Sequence, residues 1–426
     1  VFHDASEPAP APWQPTGAAR RPEGDDCLAV DLWCPDAGGR RPVLVWVHGG
    51  GYIGGDPSEP QFDAAGLARA LDCVVVSIGY RTGAEGFLDL RNHVPGADSN
   101  VGLHDLIAGF TWLQENLAAF GGDPERVTVA GQSAGAGCVA ALMCSPSAKG
   151  LFRAAICQSA PFAAVLTATE AAEIAAEFVA GSIPGAEVPL RAVPPRELAD
   201  RLEPLLASVA RRSPGLLAVA PVVDGDLLPD PPLSMFRRGA AAVVPMLAGT
   251  NRDECSIFRG SDAVVTDPLA LERWTGRSVT ELARHYPGYP AAAAATRLAG
   301  DLWFRLPTLA ATIGHSAVAP TWCYEFARVP EGLASAGLGA IHGVESAYLF
   351  ANYAADPWPW LAPHGPDAAD VATVATMRKL WGAMVHDGRV PLSVVSTGGR
   401  LLGIRIDAEA VEQVLNRAAE HAVFGT

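Results

Sequence analysis

The sequence predicts an α/β fold: a largely parallel central sheet with helices on both faces and a short helical cap. Three observations carry that expectation. Short apolar runs alternate with helical stretches between residues 43 and 144, the rhythm of strand, helix, strand, helix. Several of those runs are continuously apolar, as strands buried on both faces are. One of them stops at Gly131-Gln132-Ser133-Ala134-Gly135 and turns straight into a small, apolar helix. The composition permits such a core: of 426 residues, 49% are apolar and 18% charged, which excludes wholesale disorder. A net charge of −15 argues against nucleic acid and anionic membrane surfaces as partners. No stretch approaches the roughly 18 apolar residues of a membrane span. No repeat or composition break marks a second domain. Residues 1–426 therefore read as one domain, with 160–220 and 260–315 contributing the cap.

Taken in order, residues 1–26 form an extended, proline-bearing lead-in. Residues 27–33 alternate like a strand. Residues 43–47, all apolar, read as a buried strand that ends in His48-Gly49-Gly50-Gly51-Tyr52. A helix is expected over 61–71, a strand over 73–78 and a loop over 80–88. Leu103, Leu106, Ile107, Phe110, Leu113, Leu117 and Phe120 recur at three and four, which predicts a helix over 101–120. Gly121-Gly122-Asp123-Pro124 stops it. Residues 127–130 are the strand that feeds Ser133, and 136–143 the helix after it. Beyond lie a strand at 153–159 and cap helices at 170–180 and 196–210. Residues 220–225 read as a return to the sheet, and 243–248 as a strand. Residues 268–315 are mostly helical, 322–326 a strand, and 329–341 a Gly/Ala-rich loop that leads to His342. A long helix over 369–385 precedes a last strand at 401–406, after which Asp407 caps a final helix.

The turn at Ser133 is the nucleophile elbow of α/β-hydrolases. Flanking glycines are needed because the turn is tight and side chains there would strike its neighbours. The N–H of Ala134, at a helix N-terminus, can hold an oxyanion. The glycines after His48 let further backbone N–H groups approach a ligand, as in the HGGG-type loop of lipases and esterases. A serine hydroxyl needs a histidine as base and a carboxylate to orient the imidazole. In this fold the acid and then the histidine follow the serine. His285, His315, His386 and His421 fall on or beside helices, where a solvated side chain is expected, and His364 lies in a proline-rich loop. His342 is the best placed base. Asp253 and Glu254 both follow the strand at 243–248, and the residues alone leave the choice between them open.

Together these motifs resemble the type-B carboxylesterase family, which includes the cholinesterases and bacterial p-nitrobenzyl esterases. The resemblance runs from Cys27 to about Pro391. It rests on Asp26-Cys27-Leu28, His48-Gly49-Gly50-Gly51-Tyr52, Tyr80-Arg81 and Gly86-Phe87-Leu88. It continues through Asn100-Val101-Gly102-Leu103 with Asp105, Phe120-Gly121-Gly122-Asp123-Pro124 and Gly131-Gln132-Ser133-Ala134-Gly135-Ala136. Pro221-Val222-Val223-Asp224-Gly225, Gly249-Thr250-Asn251-Arg252-Asp253-Glu254 and His342-Gly343-Val344-Glu345 complete it, in the family's order. It implies Ser133, Glu254 and His342 as the catalytic triad, with the N–H groups of Gly50, Gly51 and Ala134 as the oxyanion hole. It implies no metal and no organic cofactor, and a small-molecule ester as substrate. Gln132 stands where cholinesterases carry a glutamate, Cys255 where a glycine is usual.

Tyr52, Phe87, Gln132 and Phe162 are the candidate substrate-binding residues. Eight cysteines without a CxxC read as small buried hydrophobes rather than a disulfide frame or a zinc site. With no signal-peptide pattern in the first 23 residues, they point to a cytoplasmic location. The expected activity is that of a serine carboxylesterase. The same machinery could instead serve an acyltransferase or a lactone-forming cyclase. A non-catalytic binding protein on this fold is the third reading, disfavoured because all three triad residues are present.

Overall fold

The computed structural model describes residues 7–36, 38–182, 189–213, 215–258, 265, 267–355, 361, 363–392, 402–406 and 410–414. The main sheet is built from β1 (Val30–Trp33), β2 (Arg41–Val47), β3 (Val74–Ile78), β4 (Gly122–Gln132) and β5 (Ala154–Gln158). Two short strands, β6 (Leu166–Thr167) and β7 (Val222–Val223), stand apart from it. It continues with β8 (Met246–Asn251), β9 (Thr321–Phe326), β10 (Leu402–Ile406) and β11 (Ala410–Val414). The strand order is β1-β3-β2-β4-β5-β8-β9-β10-β11. From β3 to β10 every neighbour is parallel; β1 and β11 close the two edges antiparallel.

Both faces of the sheet are buried, and β2 shows how its residues divide. Val43, Val45 and Val47 point into one core with the helices Val101–Asn116 and Ala134–Cys144. Leu44 and Trp46 point into the other with the helices Ala65–Leu71, Val344–Phe350 and Ala368–Asp387. A period of two with apolar residues at every position is what a strand between two helical layers requires. Each such side chain contributes roughly 1.5–3 kcal/mol by burial. Because β2, β4, β5 and β8 run the same way, the segments after Val47, Gln132, Gln158 and Asn251 all emerge at one edge of the sheet.

The structure departs from several expectations. Residues 80–88 are not all loop: Gly83–Phe87 forms a short helix. The helix expected over 196–210 is two, Pro195–Asp200 and Leu202–Arg212, broken at Arg201. Pro204 explains the break, since its ring would strike the Asp200 carbonyl in a continuous helix but is tolerated in a first turn. Residues 220–225 do not rejoin the sheet; β7 pairs with β6 in a separate two-stranded ribbon. The strand expected over 243–248 starts at Met246, because Pro245 lacks an N–H for the ladder, and it runs on to Asn251. Within 329–341, Glu331–Ser335 is helical. Residues 410–414 form β11 where a final helix is expected, and Asp407 lies outside the described residues. All eight cysteines are free thiols, and seven of them are buried. No described helix is long and apolar enough to cross a membrane.

Candidate active site

Ser133 joins β4 to the helix Ala134–Cys144 with φ +58° and ψ −129°, a conformation that costs an L-residue roughly 1–3 kcal/mol. Two hydrogen bonds hold it: Ser133 N–H to the Gln158 carbonyl on β5, and Gly137 N–H to the Ser133 carbonyl, each 2.9 Å. The flanking glycines are sterically obligatory. A Cβ on Gly131 would lie 2.6 Å from the Gly135 carbonyl carbon, and one on Gly135 would lie 2.1 Å from the Val47 oxygen. The turn thus exists because two backbone segments are packed against it without side chains between them.

The loop after β2 lies beside this elbow: a Cβ on Gly49 would be 3.1 Å from Ser133 Cβ. Gly50 and Gly51 have φ +117° and +64°. The Gly50 carbonyl accepts from Ile53 and Gly54, at 3.0 and 3.2 Å. Among the described residues the N–H groups of Gly50 and Gly51 have no partner. Ala134 is the first helical residue, so its N–H has no intrahelical acceptor. His48 anchors the start of the loop, its ring stacked on Tyr80 at 4.4 Å, and Tyr80 Oη–H donates to the His48 carbonyl. Burial pushes the His48 imidazole down to about 4, so it stays neutral.

His342 Nδ1 lies 2.6 Å from Glu254 Oε2. Glu254 is 2% exposed, and its other oxygen accepts from Ser159 Oγ at 2.6 Å and from the Asn251 N–H at 2.7 Å. Glu254 is therefore the histidine's partner. Asp253 faces away from it, accepting from Ala340 N–H and Arg252 and pinning the loop that carries His342. His342 Nε2 lies 3.2 Å from Gln132 Nε2. With the Nδ1 proton directed at Glu254, Nε2 carries the lone pair and the Gln132 amide N–H donates into it. Among the described residues no hydrogen bond joins Ser133 Oγ to His342.

Three features of the site go beyond the sequence reading. Phe304 and Phe258 flank the His342 ring, with centroids at 4.5 and 5.2 Å; Phe258 is 45% exposed at the rim. Phe304 sits on a π-helical turn, Asp301–Arg305, supported by a satellite apolar cluster of the 260–315 segment. Ser159, at φ +49°, holds the acid. Glu345 is fully buried, accepting from Asn251 Nδ2 and from Gln158 Nε2. Burial and the neighbouring Glu254 charge push its carboxyl up to about 7. Phe258, four residues past Glu254, was within reach of motif reading; nothing local marks Phe304.

Tyr52, Phe87 and Phe162 are each 1% exposed. Tyr52 packs on Phe87 at 5.0 Å, and Phe162 meets Phe236 edge-on at 5.1 Å, all within the main core. Their rings back the site rather than presenting open surface to it. Gln132, by contrast, reaches His342. Of the remaining histidines, His315 is fully buried rather than solvated, its Nε2 2.9 Å from the Val244 carbonyl, because its helix packs on the strand-entry loop.

The sequence profile of the Carboxylesterase family matches residues 2–273. Among curated proteins, the para-nitrobenzyl esterase of Bacillus subtilis (strain 168) is 35% identical over 338 residues, spanning 78% of this chain and 68% of that one. The phenmedipham hydrolase of Pseudarthrobacter oxydans is 33% identical over 406 residues, spanning 89% and 78%. Among solved structures, a thermophilic PNB esterase superposes with a TM-score of 0.84 at 29% identity, covering 97% of this chain and 88% of that one. A carboxylesterase of Geobacillus stearothermophilus gives 0.83 at 28% identity, covering 97% and 88%.

Proposed function

The chain belongs to the carboxylesterase family and is a carboxylic ester hydrolase, and on that premise we propose that it cleaves small-molecule esters through an acyl-enzyme on Ser133. The observation that carries this reading is the 2.6 Å contact between His342 Nδ1 and the buried Glu254, beside an elbow serine. Ester binding brings Ser133 Oγ to His342 Nε2 in place of the Gln132 amide. Oγ attacks the carbonyl carbon as His342 takes its proton, and Glu254 stabilises the imidazolium. The N–H groups of Gly50, Gly51 and Ala134 receive the negative oxygen. Collapse breaks the ester C–O bond, and the imidazolium protonates the leaving alcohol. Water then repeats the sequence on the acyl-enzyme and frees the acid.

The segments 160–220 and 260–315 form the cap over the cleft in this reading, with Phe304 and Phe258 as its wall beside His342. The test is intact mass after exposure to a fluorophosphonate, alongside turnover of p-nitrophenyl butyrate. Wild type is expected to gain one adduct and turn over; Ser133→Ala should gain none and fall at least about 10⁴-fold in kcat. Undiminished turnover by Ser133→Ala would remove Ser133 from the mechanism.

A further inference from the structure

On the reading that Gly50 and Gly51 hold the oxyanion, we propose that Gln14, in the lead-in segment, is the positioning residue of their loop. Gln14 is 2% exposed. Its Oε1 accepts the Gly55 N–H at 2.9 Å, and its Nε2 donates to the Gly55 carbonyl at 3.4 Å and to the Pro12 carbonyl at 3.3 Å. One buried amide thus satisfies both backbone groups of a residue 41 positions away, which only a side chain with a donor and an acceptor can do. It lies flat on the loop: a Cβ on Gly54 would be 2.3 Å from Gln14 Oε1.

From Gly55 the path to the oxyanion donors contains no slack. Gly55, at φ +113°, is packed so closely that a Cβ there would lie 2.4 Å from both the Gly49 oxygen and His48 Nδ1. A Cβ on Gly50 would lie 2.1 Å from the Gly54 oxygen, and the Gly50 carbonyl takes the Gly54 N–H. Backbone rests on backbone from Gly55 to Gly50, so a shift at Gly55 is passed on. The Gly50 and Gly51 N–H groups have no protein partner among the described residues, so the loop's own conformation must aim them.

Gln14 is itself fixed from the other side. Its N–H donates to Glu23, its carbonyl accepts from Arg196 at 2.8 Å, and Arg196 also pairs with Glu23 and stands over the Trp13 ring. Arg21 forks onto Asp56, the residue after Gly55. The lead-in is therefore a strap between the helix Pro195–Asp200 and the far end of the glycine loop.

The experiment compares Gln14→Met, Gln14→Asn and Thr16→Val with wild type in the full chain. Methionine keeps the volume without the hydrogen bonds; asparagine keeps the amide but withdraws it by one methylene. Thr16→Val removes only the hydroxyl that joins the strap to Asp200 and Arg196, and keeps the Thr16 N–H bond to Asp200. Measured are kcat and KM for p-nitrophenyl butyrate, inhibition by a trifluoromethyl ketone as tetrahedral mimic, fluorophosphonate adducts and the thermal midpoint. Loss of one oxyanion donor costs about 10²- to 10³-fold, so misaiming should lower kcat by about 10- to 50-fold in both Gln14 variants. KM should stay within about twofold, and ketone affinity should fall in parallel with kcat. Thr16→Val should retain wild-type kcat. Should one Gln14 variant fail to fold, the other carries the comparison. Wild-type kcat and ketone affinity in a folded Gln14 variant would overturn the inference. So would an equal loss in Thr16→Val, which would assign the effect to docking of the strap. A wild-type enzyme that takes no label at Ser133 would overturn the functional reading and this inference with it.

Discussion

Replacing Glu254 by glutamine tests the site's electrostatics at nearly constant shape. Glu254 Oε1 accepts two donors, Ser159 Oγ and the Asn251 N–H, while Oε2 faces His342 Nδ1. The serine can rotate its proton away, but the Asn251 N–H is fixed in the backbone at 2.7 Å. In Glu254→Gln the amide oxygen must therefore take the Oε1 position, which leaves the NH₂ group against Nδ1. The imidazole then accepts at Nδ1 and carries its proton on Nε2, the tautomer that cannot take a proton from Ser133. Loss of the correct tautomer in a serine triad costs about 10⁴ in kcat. At 1.36 kcal/mol per decade that is roughly 5 kcal/mol. Steady-state hydrolysis of p-nitrophenyl butyrate should show this fall, with KM changed by no more than about threefold, since Glu254 is buried away from bound ester. A variant that keeps more than a tenth of wild-type kcat would refute the argument, because the tautomer would then not be set by Glu254.

Two further outcomes follow from buried groups. Glu345 keeps its proton up to about pH 7 in the folded protein, whereas an unfolded glutamate loses it near 4.5. The unfolded chain is thus the better acid, and stability falls as pH rises from about 4.5 through 7, by about 3 kcal/mol in all. Glu345→Gln removes that titration. Urea unfolding should show its stability, relative to wild type, improving by about that amount between pH 4.5 and pH 8; a difference constant with pH would count against the buried acid. Gly135→Ala places a methyl 2.1 and 2.4 Å from the Val47 and His48 oxygens, backbone atoms that cannot swing aside. A loss of about 3 kcal/mol or more is expected, read as a lowered thermal midpoint together with lost fluorophosphonate labelling. A wild-type midpoint would mean that the elbow is looser than its contacts imply.

What could be read from the chain were features whose cause is local or strictly patterned. The continuous apolar run at 43–47, the three-and-four spacing after Val101 and the glycines around Ser133 each specify one conformation. Those signals are satisfied in β2, in the helix Val101–Asn116 and in the elbow. The match to the family's motifs then placed Glu254 and His342 as candidates. The misread elements were short, or lay where a single proline outweighs a periodic pattern, as at Pro204 and Pro245. At Val222–Val223 the β-forming residues found a partner in Leu166–Thr167 rather than in the main sheet, and nothing in a valine pair tells one partner from another.

The choice between Asp253 and Glu254 shows where the residues alone stop. Two adjacent carboxylates are chemically alike, and only the path of the chain after Asn251 turns one toward His342 and the other toward the Ala340 N–H. Phe304, Ser159, Gln14 and the buried Glu345 are likewise functional candidates only because distant segments converge at one edge of the sheet. Sequence determined the buried strands at the centre of the sheet, the elbow and the kinds of residue the chemistry needs, because backbone sterics and apolar spacing act over a few residues. Which groups meet was decided by tertiary packing, because hydrogen bonds and ring contacts depend on ångström distances between parts of the chain that spacing along it does not fix.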